Sequence, residues 1–246
     1  MKKLLRGVAK RIPGVPYLFQ KYVALTLKSR PAEDVFTSYF ARNTWGGRES
    51  VSGQGSDAEQ TRIIVRELGG LVRELGIRTL LDVPCGDFHW MNDVDLGATS
   101  YVGADIVADL IKRNEMRYGS ERVRFEKRNL VEDSLPKVDM IFCRDCLVHF
   151  SYEDVFRALR NICDSGSTYL LTTSFPGRRR NEDIVTGQWR PLNLQVAPIA
   201  LPAPMRIVDE GCTESNGAFR DKALCLWYVD DLRVHLRSAD QVRCAR

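Results

Sequence analysis

The chain has 246 residues, of which 44% are apolar and 28% are charged. This length and composition allow one substantial buried core, and they predict a single domain with an N-terminal extension. The formal net charge of +4 is unevenly distributed, because residues 1–30 contain eight Lys or Arg and no acid. The remainder has 28 basic and 32 acidic residues, a balance of about −4 that argues against a nucleic-acid partner.

Seven cysteines at irregular spacing predict free thiols in a reducing compartment, and therefore a cytoplasmic protein. Cys143 and Cys146 have the spacing of half a zinc site, but no second pair of ligands follows, so no metal is predicted. No stretch of 18 uncharged apolar residues predicts a membrane-spanning helix. Residues 1–30 do not read as a signal peptide, since Pro13 and Pro16 interrupt them.

The basic segment 1–30 has two interpretations. Its apolar residues follow helical spacing and lysines flank them, which is typical of a helix that lies on a membrane surface, here the inner one. The alternative is a helix packed on the body of the protein with its charged face in water. The positions that define the spacing are Val15, Leu18, Phe19, Tyr22 and either Leu25 or Thr26.

Residues 40–56 are dense in Gly and Ser around Trp45 and lack the apolar repeat of a core element. Small residues permit close approach of the backbone to a ligand, so we expect Trp45, Gly53 and Ser56 to belong to a loop that covers a binding site. The alternative is a plain linker. A helix that begins near Asp57 would offer its first N–H groups to an anion. We therefore divide the chain into an extension with a covering loop, 1–56, and a main domain, 57–246.

The main domain alternates between helical and strand patterns. Helices are predicted at 57–75, 108–117 and 152–162, the last capped by Ser151 with Asp154 in its first turn. Strands are predicted at 79–83, 100–105, 123–127, 138–143, 168–174, 205–208 and 223–229. This alternation predicts an α/β fold with a doubly wound, mostly parallel sheet of seven strands, whose ligand lies at the carboxyl ends of the strands.

The run from Leu80 to Phe88, Leu-Leu-Asp-Val-Pro-Cys-Gly-Asp-Phe, is an apolar strand followed by a tight turn. Asp105 ends the next strand, where an acid can hold two ribose hydroxyls. Gly86 is the only glycine of the turn, whereas a dinucleotide fingerprint needs three. Asp82, Cys85, Gly86 and Asp105 therefore predict a ligand with a ribose but no phosphate, which fits S-adenosylmethionine (SAM) better than NAD.

These motifs, in this order, resemble those of class I SAM-dependent methyltransferases over about residues 57–230. The resemblance implies that Asp105 binds the ribose, that Ile106 packs against the adenine, and that Asn129 and Leu130 lie near its amino group. It also implies that 138–150, which contains Arg144, leads from the fourth strand into the active site, and that a C-terminal hairpin closes the sheet. Together with residues 40–56, the motifs resemble a bacterial branch associated with polysaccharide and glycan biosynthesis.

Methyl transfer to a hydroxyl needs a group that removes the proton. Asp145 and His149 are four residues apart, so one helical turn would place them on the same face at the ligand edge. Either can be the base. The structural alternative is that Asp145 caps the following segment and His149 packs inside.

The acceptor site is expected in the long loop 176–204. Trp189 can stack on a sugar face while Arg190 and Asn193 bind hydroxyls; alternatively, Trp189 fills the core of a solvated loop. The favoured function is O-methylation of a sugar or glycan. Other small hydroxyl metabolites, and protein or RNA, remain as acceptors. A non-catalytic SAM-binding protein and an NAD-dependent oxidoreductase remain as other classes.

Overall fold

The structure, a computed structural model, describes residues 23–244. Its strands are β1 (Thr79–Asp82), β2 (Ser100–Asp105), β3 (Val123–Lys127), β4 (Met140–Cys143), β5 (Tyr169–Ser174), β6 (Arg206–Asp209) and β7 (Ala223–Tyr228). Its longer helices are α1 (Ala32–Ala41), α2 (Ala58–Glu74), α3 (Ala108–Tyr118), α4 (Tyr152–Asp164) and α5 (Val229–Cys244). Short 3₁₀ turns lie at Gln54–Ser56, Met91–Asp93 and Leu147–His149.

The seven strands form one sheet in the order β3-β2-β1-β4-β5-β7-β6. The first five strands of this order, β3 to β5, pair in parallel, and Leu81 of β1 lies opposite both Val102 of β2 and Ile141 of β4. β7 pairs antiparallel with β5 and with β6. The α/β architecture expected from the sequence is confirmed, and the sheet is of mixed orientation because the C-terminal hairpin is antiparallel. Parallel pairing brings the carboxyl ends of β1, β2 and β4 to one edge.

Helices cover both faces of the sheet, so the central strands are buried on both sides. In β4, Ile141 and Cys143 pack in the core with α4 and α5, whereas Met140 and Phe142 pack in the core with α2. All four side chains are fully buried. A strand buried on both faces reads as a continuous apolar run, which explains why the sequence of β4 shows no alternation.

Element boundaries agree with the sequence within a few residues. The Ser151 hydroxyl accepts the Asp154 N–H at 3.2 Å, which confirms the expected cap of α4. β4 begins at Met140 rather than at 138. The reason is that the Asp139 carboxylate accepts the N–H groups of Arg78 and Thr79, at 2.8 and 2.9 Å, so side-chain bonds replace the ladder there.

Of the basic segment 1–30, residues 1–22 lie outside the described residues, and with them most of the positions used to interpret it. Residues 23–28 are helical; Leu27 is buried and Leu25 is 70% exposed. Leu27 lies near Gly187, where an added Cβ would be 3.4 Å from the Leu27 side chain. The end of this segment therefore packs on the body. Between residues 23 and 244, no helix is both long and apolar enough to cross a membrane.

The central sheet gives a prediction about stability. Ile141→Val removes one methyl from a fully buried site and should lower the free energy of unfolding by about 0.5–1.5 kcal/mol. The same change at Ile207, which is 51% exposed on β6, should alter it by less than about 0.5 kcal/mol. Urea denaturation of both variants measures the difference. Equal losses would contradict the assignment of the core.

Candidate functional site

A cavity of about 330 Å³ lies at the carboxyl edge of β1, β2 and β4. Its walls come from the ends of these strands, from the turns that follow them, and from the segment before α2. The residues singled out from the sequence that line it are Trp45, Ser56, Asp82, Cys85, Gly86, Asp105, Ile106, Asn129, Leu130, Arg144, Asp145 and His149. Gly53, Trp189, Arg190 and Asn193 are not among its lining residues. The cavity is where the topology of an open α/β sheet places a ligand.

The turn after β1 is fixed by its backbone. The Cys85 N–H donates to the carbonyl of Ala104 at 2.8 Å, and the Asn114 amide donates to the carbonyl of Gly86 at 2.7 Å. Gly86 has a φ of 54°, and a Cβ there would lie 2.3 Å from the Ser52 hydroxyl. Both observations require glycine at this position, so the one glycine that the sequence retains in the turn has a structural reason.

Asp105 presents a buried carboxylate to the cavity. The side chain accepts the Val107 N–H at 2.9 Å, and the residue is 7% exposed. Burial raises the pKa of Asp105 to about 6, against the lowering effect of the backbone N–H groups of Val107, Gly86 and Ile106. A carboxylate has about four lone-pair positions, so Asp105 can still accept hydrogen bonds from two neighbouring hydroxyls.

Asp82 lies beside Asp105 in the cavity wall. The Tyr101 hydroxyl donates to Asp82 at 2.6 Å. Burial raises the pKa of Asp82 to about 8, although the bond from Tyr101 lowers it. Because burial raises the pKa of both carboxyls, the two do not both ionise readily.

The Asn129 amide is engaged in its own turn. Its oxygen accepts the Val131 N–H at 3.0 Å, and its nitrogen donates to Glu132 at 3.0 Å. Asn129 thus shapes the loop after β3, and Leu130 and Ile106 contribute apolar side chains to the lining of the cavity.

Asp87 holds the covering segment, residues 40–56 (the cover), against the turn that follows β1. The sequence analysis did not single out this residue. Its two carboxylate oxygens accept the Ser50 hydroxyl and the Val51 N–H, each at 2.9 Å. Its own N–H donates to the Ser52 hydroxyl at 3.2 Å. The sequence does contain the two partners, an acid directly after Gly86 and serines in the segment expected to cover the site. It does not indicate that they bind each other, because the two segments are 35 residues apart.

Aromatic residues of the cover enclose one end of the cavity. The Trp45 ring lies 5.6 Å from the His149 ring, and the Phe36 ring of α1 lies 6.4 Å from it. Gly53 lies behind Trp45, where a Cβ would approach the Trp45 Cβ to 3.0 Å. Gly53 therefore makes room for Trp45 and does not itself line the cavity.

The start of α2 already has an anionic partner. The Ala58 N–H donates to the Glu49 carboxylate at 2.7 Å, and the Glu49 N–H donates to Asp57 at 3.3 Å. The expectation that this helix start would bind the anion of a ligand is therefore not supported, because Glu49 occupies it.

His149 faces the cavity as a neutral imidazole. Its Nδ1 lies 2.9 Å from the carbonyl oxygen of Gln188. A carbonyl only accepts hydrogen bonds, so we assign the proton to Nδ1, which leaves the Nε2 lone pair free. Burial lowers the pKa of His149, although the Gln188 carbonyl and Asp145 act in the opposite direction. The side chain is thus available as a proton acceptor at neutral pH.

Asp145 is a different kind of group. Its backbone is left-handed, with a φ of 52°, and its carboxylate accepts the Lys222 ammonium at 2.5 Å. The Arg144 guanidinium lies 3.4 Å from the same oxygen. Burial raises the pKa of Asp145, but the attraction of Lys222 and Arg144 outweighs it and holds the pKa at about 2. A carboxylate this acidic is a weak base, so geometry and charge favour His149 over Asp145.

Arg144 connects the cover to the end of β4. Its guanidinium donates to Glu210 at 2.8 and 3.2 Å and to the carbonyl of Gly55 at 2.9 Å, and it lies over the Trp90 ring. Neither Glu210 nor Lys222 was singled out from the sequence. Both stand in the C-terminal hairpin, and no local pattern distinguishes them from solvated charges.

The loop 176–204 is organised by its own polar side chains. Arg190 donates to the carbonyls of Glu182, Leu147 and Val148. Asn193 donates to the carbonyls of Pro176 and Arg178. Both are about 95% buried. These bonds join the loop to itself and to the turn at 147–148, and neither Arg190 nor Asn193 lines the cavity.

Trp189 is 42% exposed and packs edge to face on Phe219, with ring centroids 4.7 Å apart. It follows Gln188, the partner of His149. Its role in binding an acceptor stays a prediction. Within residues 23–244, no group of three or more His, Cys, Asp or Glu side chains could hold a metal ion.

Solved structures of SAM-dependent methyltransferases resemble this chain in fold. Magnesium protoporphyrin IX methyltransferase (ChlM) from Synechocystis PCC 6803 with bound SAM matches with a TM-score of 0.55 and 14% identity, over 81% of this chain and 98% of that chain. The same enzyme with bound SAH matches with a TM-score of 0.53 and 13% identity, over 85% and 98%. Human N-acetylserotonin methyltransferase in complex with SAM matches more weakly, with a TM-score of 0.45 and 14% identity, over 77% of this chain and 65% of that chain.

No protein-family profile and no curated protein matches the sequence. At these identities the structural likeness concerns the fold alone. The seven-stranded sheet with its antiparallel C-terminal hairpin has the class I methyltransferase fold.

Proposed function

We propose that this protein is a SAM-dependent methyltransferase that transfers a methyl group to a hydroxyl oxygen. The observation that carries the proposal is that His149, whose Nδ1 lies 2.9 Å from the Gln188 carbonyl oxygen, lines the same cavity as the buried carboxylate of Asp105. With the proton assigned to Nδ1, Nε2 can act as a base. The fold supports it, since matching structures contain SAM or SAH. A non-catalytic binding protein has no use for such a base, and a dinucleotide enzyme needs the glycines that the first turn lacks.

The residues present fit the cofactor. Asp105 would accept the two ribose hydroxyls, Ile106 and Leu130 would pack against the adenine, and the backbone around Cys85 and Gly86 would contact the methionyl part. When bound, SAM supplies a methyl carbon activated by its sulfonium, and the sulfur takes the electron pair of the broken carbon–sulfur bond.

His149 would accept the proton of the acceptor hydroxyl at Nε2 while the oxygen attacks the methyl carbon in line. The products are a methyl ether, a neutral thioether and an imidazolium, which returns its proton to solvent. The aromatic side chains of Trp45 and Phe36 exclude water from this end of the cavity.

The proposed acceptor is a sugar or glycan. The support for a sugar comes from Trp189, whose half-exposed ring follows Gln188, the partner of His149, in the chain. The Trp189 ring packs against Phe219. An aromatic face with an amphipathic neighbourhood suits stacking on a sugar. Incubation with labelled SAM, a panel of glycans and simple hydroxyl metabolites identifies the acceptor, and exclusive labelling of a non-sugar metabolite would replace the sugar by the second candidate.

Binding of SAM depends on Asp105 in this proposal. Asp105→Ala should weaken SAM binding at least about tenfold, because a charge-assisted hydrogen bond is worth about 1.5–3 kcal/mol. Asp109→Ala, an exposed acid four residues on, should leave it unchanged. Isothermal titration with SAM, and with NAD as the contrast, measures both. Tighter binding of NAD than of SAM would refute the cofactor assignment.

If His149 is the base, the rate of methyl transfer should depend on pH in a characteristic way. Transfer requires neutral His149, whose pKa burial lowers from its ordinary 6.5, so the rate should fall only as the pH drops below that value. His149→Gln should reduce kcat by about 10²–10⁴ and abolish this acid limb, with SAM affinity retained. The exposed His89→Gln is the matched control. Wild-type rates in His149→Gln would eliminate His149 as the base.

The acceptor platform is tested by Trp189→Ala. Loss of one aromatic contact, worth about 0.5–1.5 kcal/mol, should raise the KM for the acceptor about three- to tenfold. The dissociation constant of SAM should not change, because Trp189 does not line the cavity. Tyr228→Ala, at a ring 41% exposed on β7, is the control. An unchanged KM in Trp189→Ala would remove this residue from the acceptor site.

A further inference from the structure

Four charged side chains meet in a buried charge cluster at the end of β4: Arg144, Asp145, Glu210 and Lys222. Lys222 Nζ lies 2.5 Å from Asp145 Oδ2 and 3.4 Å from Glu210 Oε2. Arg144 lies 2.8 Å from Glu210 and 3.4 Å from Asp145. The side chains of Arg144, Glu210 and Lys222 are at most 4% exposed, and that of Asp145 is 28% exposed. Of the four, Arg144 and Asp145 line the cavity, and Asp145 is the more exposed of the two.

The C-terminal hairpin delivers two of these charges. Asp209 of β6 pairs with Ala223 of β7, and the next N–H, of Glu210, donates to the carbonyl of Lys222 at 3.2 Å. The hairpin thus places one anion and one cation side by side beyond the strand ends. Burying a lysine is costly unless its charge is paired, and here it is paired twice.

Asp145 is held through both its side chain and its backbone. The Asp145 N–H donates to the Thr173 hydroxyl at 2.9 Å, which fixes its left-handed backbone. Gly55 of the cover closes over the cluster, since a Cβ there would lie 3.5 Å from Lys222 Nζ and 3.6 Å from Asp145 Oδ2. The backbone of the cover therefore lies directly against this ion pair.

We infer that Lys222 is a positioning residue of the methyl-transfer site: it fixes the Asp145 carboxylate facing His149, where that charge stabilises the imidazolium formed on proton transfer. The inference rests on the proposed function. In this inference Asp145 is a stabilising charge and not the base. Its ion pairs suit that role because they fix the carboxylate in place, and a fixed negative charge costs no reorganisation when the positive charge develops on His149.

The charged groups whose electrostatic fields act on His149 are Asp145 at the end of β4, Arg190 in the loop after β5, and Lys222 before β7. Of these, Asp145 lines the same cavity as His149. Burial lowers the pKa of His149, the Gln188 carbonyl and Asp145 raise it, and Arg190 and Lys222 lower it. The rings packed on His149, Trp45 and Phe36, carry no charge. Removal of Asp145 and removal of Lys222 should therefore act on His149 with opposite signs if each acts only as a charge.

The test is a double-mutant cycle read by NMR. The ring carbon shift of His149 is followed against pH in the wild type, Asp145→Asn, Lys222→Met and the double variant. The chain has three histidines, so His149→Gln assigns the signal. Asp145→Asn should lower the pKa of His149 by at least about half a unit in the wild-type background. It should have less than half of that effect once Lys222 is gone, because an unclamped carboxylate no longer faces the ring.

Equal shifts in the two backgrounds would overturn the inference, since Lys222 would then be only a distant charge. Lys222→Met/Glu210→Gln removes one charge of each sign and serves in its place if Lys222→Met alone does not fold. In the transfer assay, Lys222→Met should lose kcat to a similar extent as Asp145→Asn, with SAM affinity unchanged. Failure of the wild type to bind SAM or transfer a methyl group would refute the proposed function, while the NMR cycle still decides the role of Lys222.

Discussion

The parallel pairing of β1 with β2 and β4 is the constraint on which the rest of the molecule depends. Because the three strands run in the same direction and in close register, they end at one edge, and the residues that follow them must meet. Asp82, Asp105 and Arg144 come from three segments of sequence and line one cavity for this reason. The turn geometry at Gly86 then decides how closely the backbone can approach a ligand there.

The cover depends on this edge in turn. Asp87 binds the segment around Ser50 and Val51 through both carboxylate oxygens, and Arg144 binds the carbonyl of Gly55. Side chains of the first turn and of the end of β4 therefore hold a segment that has little core of its own. Burial beneath this segment lowers the effective dielectric, which strengthens the ion pairs of Asp145 and favours the neutral form of His149.

Sequence reasoning was most successful where the signal is local. The limits of β2 and β3, the Ser151 cap and the single glycine of the first turn all follow from neighbouring residues, and the α/β architecture follows from the alternation of strands with helices. It was least successful for side chains whose partners are distant in sequence. Arg190 and Asn193 have the composition of a binding loop, yet their donors are used by carbonyls of the same loop and of the 147–148 turn. In the sequence, Lys222 and Glu210 cannot be told from solvent-exposed charges of a hairpin. Only the pairing of β6 with β7 places them together beside Asp145.

The same hairpin explains why two residues four apart can have different chemistry. Asp145 and His149 share the cavity wall, but the antiparallel pair β6–β7 pairs a lysine with the carboxylate of the first, whereas the direct partner of the second is a carbonyl of the loop after β5. Paired with Lys222 and Arg144, the Asp145 carboxylate loses basicity, and a proton placed on it would break an ion pair inside the protein. His149, held by a neutral carbonyl, loses no such partner when it accepts a proton, and it gains the attraction of Asp145. The different roles proposed for His149, as base, and Asp145, as stabilising charge, thus follow from the position of β7 next to β5.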